Sequence, residues 1–371
     1  MKESMKKSEE LFEIAKKVIP GGGQNSRRRS CFTEAYPIFI DKAVGAHTWD
    51  VDGNEYIDWL LSFGPIVLGH CNSGVDNAVK KEMDDGFLFN LHSPMQIEFA
   101  NKLIEHIPCA EMVINVMSGS EATACAIRIA RIYTGKEIVI HWGYHGWYDW
   151  CISNHIGVPE GVYRDLKTFR YNDLSSLEEV LDKNKNKVAC IIMMPFEVVL
   201  PDPGFLEGVR ELANKHKVVL IFDEIRSWPR MGLGGAQKYY GVTPDMTTIS
   251  KGIANGYPIS AIVGKMEIME VSQKTTVSAT YFHSTLGIAA ALETIRQLED
   301  KSVLEHLEKT GKKLSEGLKE LIESRNVKAT VFGIPQMPFL MFHCKMILLK
   351  FQISFYRHHF QIYQYQLLHL P

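Results

Sequence analysis

The sequence predicts an α/β protein with a mostly parallel sheet covered by helices on both faces, and three observations carry that prediction. Short apolar runs rich in β-branched residues alternate with longer segments of helical periodicity. The runs are apolar throughout rather than every second residue, as expected of strands buried on both faces. Ser118, Asp223 and Lys251 each stand where such a run stops, and this is the edge at which open α/β sheets bind ligands.

The elements follow in order. "MKESMKKSEELFEIAKKVIP" is charged and amphipathic, lacks the apolar centre of a signal peptide, and reads as a first helix of a cytoplasmic protein. "AVGAHTWDVDGNEYIDW" reads as two strands around an Asp52-Gly53 turn, a hairpin outside the parallel core. The sheet is then built from "MVINVM" before the helix "SEATACAIRIARIYTG", "EIVIHWG", "VACIIMMPF" before the helix "FLEGVRELANKHK", "VVLIFDE", "TTIS" and "SAIVG". From Ser284 to Glu323 the pattern is helical, and "KATVFG" adds a strand. There is no internal repeat.

Composition narrows the function classes. A chain of 371 residues, 46% hydrophobic, supports a sizeable core and roughly two to three domain-sized units. Its 41 Lys and Arg against 43 Asp and Glu give a net charge of -2, so no global field recruits nucleic acid or an anionic membrane. No apolar run reaches transmembrane length. Seven cysteines without a C-x-x-C pair fit core or surface thiols in a reduced compartment better than a disulfide framework or a zinc site.

The last segment, "HCKMILLKFQISFYRHHFQIYQYQLLHLP", contains no Asp, Glu, Gly or Ala. It reads either as an edge-strand hairpin or as a chain that left its ancestral reading frame near Cys344, and the missing turn signals favour the second. On that reading residues 344–371 form no family-like sheet, and their aromatic, β-branched composition favours aggregation over stability and activity.

Three stretches carry chemistry. Ser118-Gly119-Ser120 joins a strand to a helix, whose N-terminal N–H groups and dipole suit an anion. Taken alone the turn is explained better by simple N-capping, with Ser120 as the cap and Glu121 in the first turn. Neither G-x-G-x-x-G after the first strand nor G-x-x-x-x-G-K-[ST] occurs, so dinucleotide and P-loop readings lack support. Asp223 ends an all-apolar strand, and Lys251 ends a later one. A buried ammonium costs several kcal/mol unless its pKa falls or it meets a partner.

A lysine and a carboxylate at one crevice beside a phosphate-type turn are what pyridoxal phosphate needs: an amine to bind the aldehyde, an acid to keep the ring nitrogen protonated. Tyr144, just past a strand end in "HWGYHGWYDW", is placed to stack on such a ring, or equally to fill the core. His141 and His145 are four apart in the same stretch, but no third ligand is close, which points away from a metal.

In their order, "SGSEA", "YHG", "DE" after an apolar strand and "SKGIANGYPISAIVG" resemble the class III pyridoxal-phosphate aminotransferases, most closely the glutamate-1-semialdehyde 2,1-aminomutase group. "GAHTWDVDGNEYIDW", "SFGPIVLGH" and "GGAQKYYGVTPDMTTISKG" extend the likeness, which covers roughly Ile19 to Phe342. The resemblance implies aminotransferase fold type I, with a large domain at 56–287 and a smaller α+β domain built from both chain ends, 1–55 and the segment beginning at 288–343. It implies Lys251 as the Schiff-base lysine, Asp223 as the pyridinium partner, Tyr144 as the ring-stacking aromatic and Ser118, Gly119 and Ser120 as the phosphate cradle. Arg29 in "NSRRR" matches the arginine that holds a substrate carboxylate. Thr280 matches a threonine that reaches the neighbouring subunit's phosphate, so a homodimer is implied. The partners implied are a small-molecule amino donor and a carbonyl acceptor.

Several positions depart from the family pattern: Met117 before the Ser-Gly turn, Met193 to Pro195 after a strand, Trp228 and Pro229 after Asp-Glu, and "ATYFHST" around Thr280. These are expected to touch the substrate side, which leaves cofactor binding intact and puts specificity for glutamate semialdehyde in question. The alternatives are an aminotransferase of a cell-surface sugar or other amino-acid pathway, or a catalytically impaired scaffold.

Overall fold

The computed structural model describes residues 5–23 and 37–343, which fall into two units. Arg29 and residues 344–371 lie outside the described residues, as does any outcome for the expectations placed on them. Among the described residues no helix is long and apolar enough to cross a membrane.

The first unit holds helix α1 (Lys6–Val18) and a three-stranded antiparallel sheet of β1 (Ile40–Val44), β2 (His47–Asp50) and β3 (Glu55–Ile57). The expected hairpin is the β2–β3 pair, and β1 is an addition to it. Buried Asp50 ties the turn: its carboxylate accepts from the N–H groups of Asp52 at 3.0 Å and Asn54 at 2.8 Å, and from the Tyr56 hydroxyl at 2.8 Å. Asp52 in turn accepts from the N–H groups of Lys7 at 2.8 Å and Ser8 at 3.0 Å. A carboxylate from the hairpin thus caps α1.

The second unit, residues 62–68 and 72–343, carries the large sheet. It opens with α2 (Ser73–Asp84) and α3 (Pro94–His106), followed by β4 (Met112–Val116), α4 (Gly119–Thr134), β5 (Ile138–Trp142), the short α5 (Glu160–Tyr163) and β6 (Leu166–Thr168). Next come α6 (Leu174–Lys183), β7 (Val188–Met193), α7 (Phe205–His216), β8 (Val219–Asp223), α8 (Gly235–Tyr240), β9 (Met246–Ile249) and β10 (Ser260–Gly264). It closes with α9 (Met266–Met269), α10 (Thr285–Glu299), α11 (Lys301–Ser324) and the hairpin β11 (Ala329–Ile334) to β12 (Met337–Phe342).

The sheet order is β4-β10-β9-β8-β7-β5-β6, with every pair parallel except those made by β10. The connection from β9 to β10, residues 250–259, holds only a short helical turn, too little for a crossover helix, so the strand returns antiparallel. Strands β7 and β8 are buried at every position. Their residues alternate between two cores: Ile191, Met193, Leu220 and Phe222 face α6 and α7, whereas Cys190, Ile192, Val219 and Ile221 face α4. Each such side chain removed from water stabilises the fold by about 1.5–3 kcal/mol. Cys109 and Cys190 are core thiols that burial pushes up to about 12, which leaves them unreactive.

Just before β9, Asp245 ties three elements together. It accepts from Leu220 N–H at 2.8 Å, Arg210 Nη1 at 2.9 Å and Lys265 Nζ at 2.7 Å. Burial alone would raise its pKa, but these donors hold it below the usual carboxylate value. The stability this contributes is present above the ordinary pKa of 3.8 and lost on further acidification. Asp245→Asn should cost about 3 kcal/mol, read as a lowered denaturation midpoint in guanidinium, since it leaves Arg210 and Lys265 without their shared anion. An unchanged midpoint would show the three contacts to be incidental.

Candidate active site

The parallel strands deliver their ends to one edge. β4 leads into Ser118, β5 into Tyr144 and His145, β7 into Glu197, β8 ends on Asp223, and β9 leads into Ser250 and Lys251.

At the first of these, Ser118 is the cap of α4. Its Oγ accepts from Glu121 N–H at 3.4 Å, and Glu121 Oε2 accepts from the N–H groups of Ser118 at 2.7 Å and Met117 at 3.0 Å, closing a capping box. The cap is therefore Ser118 and not Ser120, because the β-region backbone that a cap requires falls on Ser118. Gly119 and Ser120 head the helix, where N–H groups lack intrahelical acceptors. Ser120 Oγ accepts from Trp147 N–H at 3.4 Å. Gly146 lets the loop after β5 press on this turn: at φ 118°, a Cβ there would lie 2.3 Å from Ser120 Oγ.

Tyr144 follows Gly143, whose φ is 104° and whose Cβ would meet Met194 Cγ at 2.8 Å. Tyr144 is 47% exposed, so it is not a core aromatic.

Asp223 is only 2% exposed. Its Oδ2 faces His145 Nδ1 at 2.6 Å, and its Oδ1 accepts from Ile225 N–H at 3.1 Å and the Thr248 hydroxyl at 3.4 Å. His145, itself fully buried, is a site residue that the sequence does not single out, since its place after Tyr144 says nothing of its partner. Glu224 beside it is structural. It is wholly buried and accepts from Gln237 Nε2 at 3.0 Å, Ser227 Oγ at 3.2 Å and the Ala236 N–H at the start of α8.

Lys251 occupies the left-handed region, φ 49°, which a side-chain-bearing residue enters at a cost. Burial, and then the Arg226 guanidinium, push its amine from 10.5 down to about 8, against the pull of Asp223. Among the described residues no ion pair joins Lys251 to Asp223. Arg226 pairs instead with Glu197 and lies 5.5 Å over the Phe339 ring. Buried Arg230 donates to the carbonyls of Gly64 and, at 3.2 Å, Arg226, and burial pushes it down to about 10. The sequence signal for both arginines was "DEIRSWPR", two cations close behind a buried strand.

One expectation is corrected, that Met193, Met194 and Trp228 face the substrate side. Trp228 is 1% exposed, donates from Nε1 to Leu233 O at 2.7 Å, and with Met193 and Met194 belongs to the core rather than to a substrate surface. Thr280 is exposed in a turn, Thr280–His283, whose Phe282 carbonyl accepts from Asn115 Nδ2 at 2.7 Å.

A family model, Aminotransferase class-III, matches residues 31–337. The chain belongs to the class III aminotransferases. It is 46% identical over 345 residues to the 3-aminobutyryl-CoA aminotransferase of Cloacimonas acidaminovorans, covering 91% of this chain and 83% of that protein. It is 38% identical over 356 residues to the glutamate-1-semialdehyde 2,1-aminomutase of Methanocaldococcus jannaschii, covering 90% and 82%. Among solved structures, the pyridoxal-phosphate form of the Sphingopyxis sp. MTA144 FumI protein matches with a TM-score of 0.87 at 26% identity, over 90% of this chain and 83% of that one. The fold is that of the pyridoxal-phosphate transaminases, and the cofactor of this family is pyridoxal 5'-phosphate. The residues fit it: a buried amine poised near neutrality, a buried carboxylate on a separate hydrogen-bond network, and a helix N-terminus tight against Gly146.

The depressed amine is measurable without cofactor. In apo-protein reductively methylated with labelled formaldehyde, the Lys251 signal should titrate near 8, and Arg226→Gln should raise that value by removing a positive neighbour. A Lys251 signal titrating with the surface lysines would sink this account.

Proposed function

We propose that this class III aminotransferase moves an amino group between two separate small molecules, with Lys251 as the cofactor-binding and proton-transferring residue. The observation that supports it most is the buried Lys251 amine, pushed to about 8 and kept apart from Asp223. Bound pyridoxal phosphate supplies an aldehyde that takes up amines and a protonated ring that withdraws electrons from them.

The chain's own residues then divide the work. Lys251 would bind the aldehyde and, as an amine whose pKa lies close to neutral pH, would serve as the base that moves the substrate proton. Asp223 would keep a ring nitrogen protonated, with His145 orienting its carboxylate. Gly119, Ser120 and the positive end of α4 would hold the phosphate, and Tyr144 would stack on the ring. Arg29 is proposed for a substrate carboxylate. Thr280, exposed on its turn, is proposed to reach the phosphate of a second copy, which makes the working form a homodimer.

For the substrate, the higher identity to a 3-aminobutyryl-CoA aminotransferase and the altered "ATYFHST" segment favour a β-amino acyl donor. The motifs shared with the aminomutases support a second reading, in which one molecule both gives and receives the nitrogen. A panel of donors, followed by the absorbance change of the bound cofactor, separates the two. 3-Aminobutyryl-CoA should react faster than glutamate 1-semialdehyde, and the reverse order would favour the aminomutase.

Borohydride reduction of the loaded protein and peptide mapping should place the pyridoxyl group on Lys251; a label on another lysine overturns the assignment. Asp223→Asn should retain cofactor yet slow the donor reaction at least tenfold, because a buried charge-assisted hydrogen bond is worth more than about 1.4 kcal/mol. Single-turnover rates within twofold of the parent would remove Asp223 from the mechanism.

A further inference from the structure

Behind the Asp223–His145 contact stand three rings, each with one buried nitrogen that has no hydrogen-bond partner among the described residues. Of the six buried side-chain polar atoms without a hydrogen-bond partner among the described residues, three lie here: His145 Nε2, His141 Nδ1 and Trp150 Nε1. His141 meets His145 edge-on with ring centroids 5.7 Å apart, and Trp150 stacks on His145 at 5.9 Å. A buried polar atom left unpaired costs about 1–3 kcal/mol. Three in one cluster mark a polar site of the kind that folded proteins fill with an internal water making two to four hydrogen bonds.

The donors and acceptors fit one such water. Because His145 Nδ1 faces the Asp223 carboxylate, its proton belongs on Nδ1, and Nε2 is left an acceptor. Trp150 Nε1–H can only donate. Burial pushes His141 down to about 3, so it is neutral, and with its proton on Nε2 it presents Nδ1 as a second acceptor. One donor and two acceptors are the complement of a water's lone pair and two hydrogens.

We propose that a single buried water joins His141 Nδ1, His145 Nε2 and Trp150 Nε1, and that through it His141 is a positioning residue for Asp223. The water holds Nε2 of His145 as an acceptor and thereby fixes the Nδ1–H tautomer. In the other tautomer a lone pair would face the carboxylate, and Asp223 would need a proton to keep the contact, losing its capacity to accept from a ring nitrogen. The consequence for catalysis rests on the role given to Asp223 above; the tautomer itself does not.

The test uses full-length protein with ¹⁵N-labelled histidine, apo and loaded. His145 should appear as one neutral Nδ1–H tautomer. His141→Phe keeps a ring but removes the acceptor, and should give His145 a mixture of tautomers and, with cofactor still bound, a donor reaction slowed about tenfold, as supporting residues typically cost. His141→Gln returns an acceptor and should restore the single tautomer. A His145 spectrum unchanged in folded His141→Phe overturns the inference, and so, if that variant does not fold, does a mixed spectrum in His141→Gln. A tautomer mixture with an unaltered donor reaction would uphold the water site and count against the catalytic role of Asp223 instead.

Discussion

A carboxylate and an amine must both be kept dry at one sheet edge without neutralising each other, and the rest of the site follows from that constraint. Two opposite charges in a low-dielectric crevice attract strongly, and a direct Asp223–Lys251 ion pair would occupy both groups. The structure gives each a separate environment. Asp223 is engaged by His145, Ile225 N–H and the Thr248 hydroxyl. Lys251 is held in a left-handed backbone conformation and made less basic by burial and by Arg226. The left-handed backbone at Lys251 is a local cost of holding the residue in this position.

Holding that arrangement falls to the loops behind the strand ends. Glu224 draws the start of α8 onto the chain just past β8, and Arg230 ties the Gly64 loop to the same segment. The side chain of Gly252's neighbour is aimed from a tight contact: a Cβ at Gly252 would lie 2.7 Å from Pro229 Cδ. Position in this site is therefore set by packing on both sides of the Asp-Glu pair, and a change in either loop would be felt at Lys251.

The fold was legible because a doubly covered parallel sheet writes itself as uniformly apolar runs, and "VACIIMMPF" and "VVLIFDE" became the fully buried strands β7 and β8. The direction of β10 was not, since "SAIVG" reads alike either way and only the shortness of its connection decides it. In the site, Asp223 and Lys251 were legible as charges where apolar runs end. His145 was not, because a histidine two residues after a glycine reads the same whether it faces a carboxylate or the core. Trp228 was misplaced for a related reason: a departure from a family motif says that something changed, whereas burial decides which side of the chain feels it.

Lys251 has two guanidiniums near it, Arg226 and Arg230, that depress its amine, and that local repulsion bears on what the site can hold. Arg226 is offset by Glu197, while among the described residues Arg230 donates to carbonyl oxygens, which stabilise a guanidinium without neutralising it. Beyond burial, which pulls Arg230 down to about 10 and Lys251 to about 8, Arg226 lowers both and Arg230 lowers Lys251, the mark of a spot that disfavours further positive charge. An anion entering here relieves that repulsion, and it does so most when water is excluded. A phosphate-bearing cofactor is thus favoured at this edge by the same electrostatics that depress the Lys251 amine.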